Sequence, residues 1–166
     1  ECFEDWDYKE PLLEGICSVI PKQLVFGGAT YGSFSQDGCT DFESVCLLGI
    51  VGDGIDISTP VVTEVCDSKL SFEDHEQQIK QQLRAGGAKL AAALKRTDRD
   101  RLCVLVADAH SPKNQYLVEG VQDVLGEPFP ITGGSANKNA GQTYVYYRGE
   151  AHQDSALALM LSGDFR

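Results

Sequence analysis

The chain has 166 residues, enough for one domain with a sizeable buried interior, and its 42% hydrophobic and 23% charged residues are globular proportions. Twenty-five acidic against 14 basic side chains leave a net charge of -11, which repels phosphate backbones and anionic lipid, so neither nucleic acid nor a membrane is an expected partner. Its apolar runs are of strand length, too short to span a bilayer.

Glu1 to Glu10 is acidic and polar, not the profile of a signal peptide. Tyr8 to Ile20 reads as a helix, with Leu12, Leu13, Ile16, Val19 and Ile20 at helical spacing and Pro21 as its stop. Leu24 to Thr30 follows as a buried strand. Tyr31 to Asp41 is a turn region with Asp37-Gly38 as a hairpin signal. Ser44 to Gly52 is a second apolar strand and Gly54 to Val62 a third. Ser71 is then placed to cap a long helix over about 71–96, acidic at its start (Glu73, Asp74, Glu76) and basic at its end (Lys89, Lys95, Arg96), as the helix dipole favours. Ile79, Leu83, Leu90 and Leu94 form its apolar stripe. Gly86-Gly87 in mid-helix costs on the order of 1 kcal/mol per glycine relative to Ala. Close packing onto a sheet accounts for that cost; a break in the helix is the competing account.

Arg101 to Ala107 is a buried strand, and Ser111-Pro112 suits the cap and first position of a helix running to about Leu125. Strands are predicted at Phe129 to Gly133, Thr143 to Arg148 and Ser155 to Ser162, with His152 in a surface hairpin over Gly149 to Asp154.

Two stretches of this order match each other. Leu13 to Ile20 (LEGICSVI) corresponds to Val118 to Leu125 (VEGVQDVL). Each is followed by a proline turn, then by an apolar segment ending in Gly27-Gly28-Ala29 or Gly133-Gly134-Ser135. Each copy closes on an apolar strand ending in Gly-Asp, Val45 to Asp53 and Ala156 to Asp164. Four anchors in one order indicate an internal repeat, 8–62 and 101–165, joined by the long helix within a single domain of residues 1–166. The expected class is α/β (mixed α+β), duplicated helix-strand-strand units forming mixed sheets flanked by helices. The strand that opens the second copy has no counterpart ahead of Tyr8. The first half is therefore expected to present an uncovered edge, a route to a homo-oligomer.

The six cysteines form no CxxC or Cys/His ligand spacing, so no metal site is expected, and a reducing cytoplasm is the expected compartment. Cys46 and Cys103 lie in apolar stretches, as small hydrophobes do.

Several segments together resemble the FIST N-terminal domain, a sensory module of bacterial signal-transduction proteins: VFGGATYG (Val25 to Gly32), Asp37-Gly38, VGDG (Val51 to Gly54), LVADAH (Leu105 to His110), ITGGSAN (Ile131 to Asn137), TYVYYRGE (Thr143 to Glu150) and LMLSGD (Leu159 to Asp164). The resemblance implies sensing of a small ligand, amino acids or similar metabolites, with haem in some members. Among this chain's His75, His110 and His152 no feature selects a haem ligand, so no cofactor is expected.

The residues themselves place a small polar metabolite where strand ends of the two copies meet. Gly27, Gly28, Ala29 and Thr30 are expected to face Gly133, Gly134, Ser135 and Asn137, with His110 at the rim. Glycines admit close approach to backbone N–H groups, and the hydroxyl, amide and imidazole side chains supply hydrogen bonds. Tight packing is the alternative role for the glycines. Asp108, His110 and Ser111 mimic a hydrolase set, but a triad needs geometry that adjacency cannot supply, so Asp108 reads as a turn residue, Ser111 as a helix cap, and the domain as non-catalytic. A ligand-free assembly module is the other alternative.

Overall fold

A computed structural model describes residues 8–30, 32–40, 44–58, 61–67, 69–108, 114–136 and 143–165. Helix α1 (Lys9–Val19) accepts Pro11 in its first turn, where a missing N–H breaks no helical bond, and gives way at Ile20 to extended backbone before Pro21. A 3-10 turn, Lys22–Leu24, shortens the expected strand to β1 (Phe26–Gly28). β2 (Ser33–Ser35) and β3 (Gly38–Thr40) form the hairpin signalled by Asp37-Gly38, with Gly38 at φ 125°.

The strand expected over 44–52 is not formed. Residues 45–52 join no ladder with any described strand, and their apolar side chains are exposed, Leu48 by 84% and Val51 by 97%. Cys46 shares that exposure; its thiol donates to the Phe34 carbonyl at 3.1 Å. An apolar run makes a strand only where another strand accepts its backbone groups. The next stretch does find a partner but is split into β4 (Ile55–Ile57) and β5 (Val61–Glu64). Between them Ser58 stands in for the ladder: its N–H donates to the Met160 carbonyl (2.9 Å) and its hydroxyl accepts the Met160 N–H (2.8 Å).

Helix α2 (Phe72–Ala93) bends at His75, whose φ of -127° is not helical. Ser71 precedes it, but its hydroxyl makes no capping bond; its carbonyl accepts the His75 N–H instead, at 3.0 Å. The remaining elements are β6 (Asp100–Asp108), α3 (Asn114–Leu125), β7 (Ile131–Ala136), β8 (Val145–Tyr147), β9 (Glu150–His152) and β10 (Ser155–Gly163). His152 thus ends a strand that pairs with β8 within the expected hairpin segment, and it is half-buried instead of lying at the surface.

β10 is the centre of a five-stranded sheet. β6 flanks it antiparallel on one side, β4 and β5 on the other, and β7 adds to β6 in parallel. A second sheet runs β1-β8-β9. Side-chain alternation along the strands then stacks four layers. Cys103, Leu105, Ala107, Ala158 and Met160 face α2 and α3 in the main core. Val106, Ala136 and Leu157 face Val145 and Tyr147 of the second sheet. Tyr144 and Tyr146 turn outward to Leu13 of α1. Burying each large apolar side chain contributes about 1.5–3 kcal/mol, so the two-sided burial of β10 dominates the fold.

Gly86-Gly87 does not break α2. A Cβ on Gly87 would overlap the Leu117 carbonyl oxygen of α3, and one on Gly120 of α3 would overlap the Arg84 carbonyl oxygen of α2. The paired glycines let two helix backbones touch. The expected sheet contact is therefore replaced mainly by a helix contact, with Gly86 turned toward Val65 just beyond β5. Arg84 closes the seam from outside through a bidentate pair with Asp123, at 2.7 and 2.8 Å.

Candidate functional site

β6, α3 and β7 form a strand-helix-strand crossover with parallel strands, and such units present their carboxyl ends as a rim for ligands. Asp108 ends β6 and Asn114 opens α3. His110 and Ser111 lie between them, outside the described residues, as does Asn137 beyond β7. Asn114 ties the rim together: its amide nitrogen donates to the Ser135 hydroxyl at 2.7 Å and reaches the Asp108 carbonyl at 3.4 Å.

Asp108 is not a turn residue. It is 5% exposed, and its carboxylate accepts the Asp154 backbone N–H at 2.9 Å. Asp154 has a left-handed φ of 51°, so this bond fastens an uncommon conformation in the β9–β10 turn to the end of β6.

The two Gly-Gly pairs divide their labour in the same way. In β1, Gly28 is tight: a Cβ would stand 3.2 Å from Ala136 Cβ and 3.3 Å from Val106 Cγ1, while Gly27 meets nothing. In β7, Gly133 has φ 143°, and a Cβ there would overlap the Leu105 carbonyl oxygen, while Gly134 meets nothing. One glycine of each pair packs and the other faces space. The Gly28–Ala136 approach does bring the two regions together, across the interface between the sheets. Their ladders differ, however, β1 running antiparallel to β8 and β7 parallel to β6. Ala29 lies wholly in the core, and its N–H donates to the Tyr144 carbonyl at 3.1 Å. The Thr30 hydroxyl donates to the Gly32 carbonyl at 2.8 Å. Backbone donors from Ala29 are thus engaged by the fold.

Open space lies on the other side of β7. A groove of about 470 Å³ runs between β7 and α3. Leu117, Val118, Phe129 and Ile131 supply apolar walls, Asn114, Gln122, Thr132 and Ser135 polar groups, and Gly133-Gly134 a stretch without side chains. Among the described residues no charged side chain lines it. β7 is an edge strand, so alternate backbone groups of Thr132 to Ser135, all exposed, turn away from β6. Sequence reasoning found the glycines and Ser135 but missed Asn114, Gln122 and the apolar wall. Asn114, directly after the Asp108 to Lys113 loop, was the one available signal.

Among the described residues no group of three or more His, Cys, Asp or Glu side chains could hold a metal ion, and no helix is long and apolar enough to cross a membrane. The family model for the FIST N domain matches residues 2–166. The chain belongs to the FIST N domain family. FIST N domains are sensory, ligand-binding modules of signal transduction. The chain matches no curated protein and no solved structure.

Proposed function

We propose that this FIST domain senses a small polar metabolite of the amino-acid type, binding it without catalysis in the groove between α3 and β7. The observation that carries this reading is the groove itself. Its 470 Å³ falls in the range of small-molecule sites, and its apolar walls are combined with a few polar groups at the rim. The Ser135 hydroxyl, having accepted from Asn114, can donate to a carboxylate, and the Asn114 carbonyl oxygen can accept from an ammonium. Outward N–H groups of β7 add donors, and Leu117, Phe129 and Ile131 take the ligand's apolar body. Gly28 backs β7 from the other face of the sheet through its close approach to Ala136.

A thermal-shift screen of amino acids and related metabolites tests this directly. A ligand at 100 times its dissociation constant stabilises by about 2.7 kcal/mol. Gly134→Val is the informative variant, because Gly134 lines the groove and a Cβ there would meet no other atom within 4 Å. It is expected to keep a cooperative transition and to lose the ligand-induced shift. A stable Gly134→Val protein that still responds to the ligand places the site elsewhere.

A further inference from the structure

At the opposite edge of the five-stranded sheet, beside β5, a cleft of about 1040 Å³ lies between α2, the chain leaving β5 and the β9–β10 turn. Its walls are fixed. Gly86 lets α2 settle on Val65, where a Cβ would stand 2.8 Å from the valine Cγ1. The Val65 N–H donates to the Asp154 carbonyl at 2.8 Å, and the Asp154 N–H is held by the buried carboxylate of Asp108.

Charge is distributed unevenly along this cleft. Near Gln82, the Cys66 thiol donates to the Gln82 side-chain oxygen at 3.5 Å. Burial, then the carboxylates of Asp154 and Asp67, push that thiol above its ordinary range. Lys69 brings one ammonium to the same end, against two carboxylates. Lys89 lies on the same face of α2 as Gln82, seven residues or about 10.5 Å along the axis. Among the described residues it makes no ion pair, whereas Lys80, Arg84, Arg96 and Arg99 all do. Glu64 and His152 also line the cleft, from β5 and β9, and the carboxylates of Asp67 and Asp154 and the ammonium of Lys89 stand as separate charged positions along it.

We propose that this cleft is a second binding site, distinct from the α3–β7 groove, for a zwitterion of short-peptide length, its ammonium beside Asp67 and Asp154 and its carboxylate at Lys89. Three residues of extended chain reach about 10 Å, which matches the rise along α2 from Gln82, beside Cys66, to Lys89; a single α-amino acid is too short to span it.

Triglycine titrated into the intact chain by calorimetry is the test. Saturable binding is expected, about tenfold weaker for the N-acetylated or the C-amidated peptide, and about tenfold weaker in Lys89→Glu. Lys89 is exposed, so that variant leaves the core intact. Bound triglycine should also slow iodoacetamide labelling of Cys66, read by peptide mass mapping, while labelling of the exposed Cys39 and Cys46 is unchanged. Gly134→Val should bind triglycine normally, which separates failure of this site from failure of the groove. Absence of saturable heat, equal affinity for blocked peptides, or unchanged affinity in Lys89→Glu overturns the proposal.

Discussion

Residues 45–53 and 156–164 are both apolar runs closing on Gly-Asp, yet one is exposed and the other is the centre of the molecule. Strand β10 has β6 along one edge and β4 with β5 along the other, so its backbone groups are paired and its side chains are covered on both faces. Residues 45–52 have no described strand beside them, and their side chains meet solvent. The two closings nonetheless touch. The Asp164 N–H donates to the Gly54 carbonyl at 3.3 Å, and a Cβ on Gly163 would overlap that same oxygen. Apolar content therefore proposes a strand, and neighbours on both edges make it one.

The widest difference is expected in stability. Leu159, 1% exposed in β10, should cost about 3 kcal/mol or more on truncation to Ala, and Leu48→Ala should stay within about 0.5 kcal/mol. Urea denaturation of the two variants measures this, and equal losses would show that 45–52 is buried in solution. Thiols report the same contrast. Burial, opposed more weakly by Arg96, pushes Cys103 up to about 11, so it should resist alkylation until the protein unfolds, while Cys46 labels in the native state.

A second pair compares the helices of the two matched copies. Gly120→Ala drives a methyl into the α2 backbone and should destabilise by about 3 kcal/mol. Gly15 of α1 meets nothing within 4 Å, and Gly15→Ala should instead stabilise by up to about 1 kcal/mol. Opposite signs in thermal melts support the close α2–α3 seam; a neutral Gly120→Ala removes it.

The smallest effect concerns the closing end of β10. Asp100, its side chain 3% exposed, accepts from Ser162 at 2.8 Å and from Arg96 at 2.6 Å. Burial alone would raise its carboxyl, but the bonds from Arg96, Ser162 and Thr97 together outweigh burial and hold it below the ordinary carboxylate range. A carboxyl depressed in the folded state contributes stability above its unfolded value of about 3.9, and that contribution is lost as pH falls through the folded value. Asp100→Asn should therefore melt below the parent at pH 7 by about 1 kcal/mol, with the two curves converging below about pH 4. A constant gap across that range would assign the loss to packing instead of charge.

Much of the second half was legible because its signals are local. The stripe of Ile79, Leu83, Leu90 and Leu94 is buried as its spacing required, and Arg101 to Ala107 lies within β6. β7 began two residues later than expected and ran on through Gly133, Gly134 and Ser135 to Ala136. The glycines read there as a strand end, although the parallel ladder with β6 carries them inside the strand. At the candidate site, Gly134 and Ser135 were readable as small residues at a strand terminus. Leu117, Phe129 and Ile131 were not, because an apolar residue beside a groove has the same sequence pattern as one inside a core.

The sequence by itself determined the class of the fold, the acidic start and apolar stripe of α2, the hairpin at Asp37-Gly38 and the family, since all of these rest on residue type and short-range order. The basic end expected for α2 was not formed, because the helix stops at Ala93, before Lys95 and Arg96. Tertiary structure alone decided which of two similar apolar runs became the central strand, which glycine of each pair packs, and that Asp108 fastens a turn. Each of those outcomes depends on a neighbour distant in sequence: β6 and β5 beside β10, the Leu105 carbonyl against Gly133, and the Asp154 N–H at the carboxylate of Asp108. Burial and hydrogen bonding are properties of pairs of segments, and periodicity within one segment cannot specify its partner.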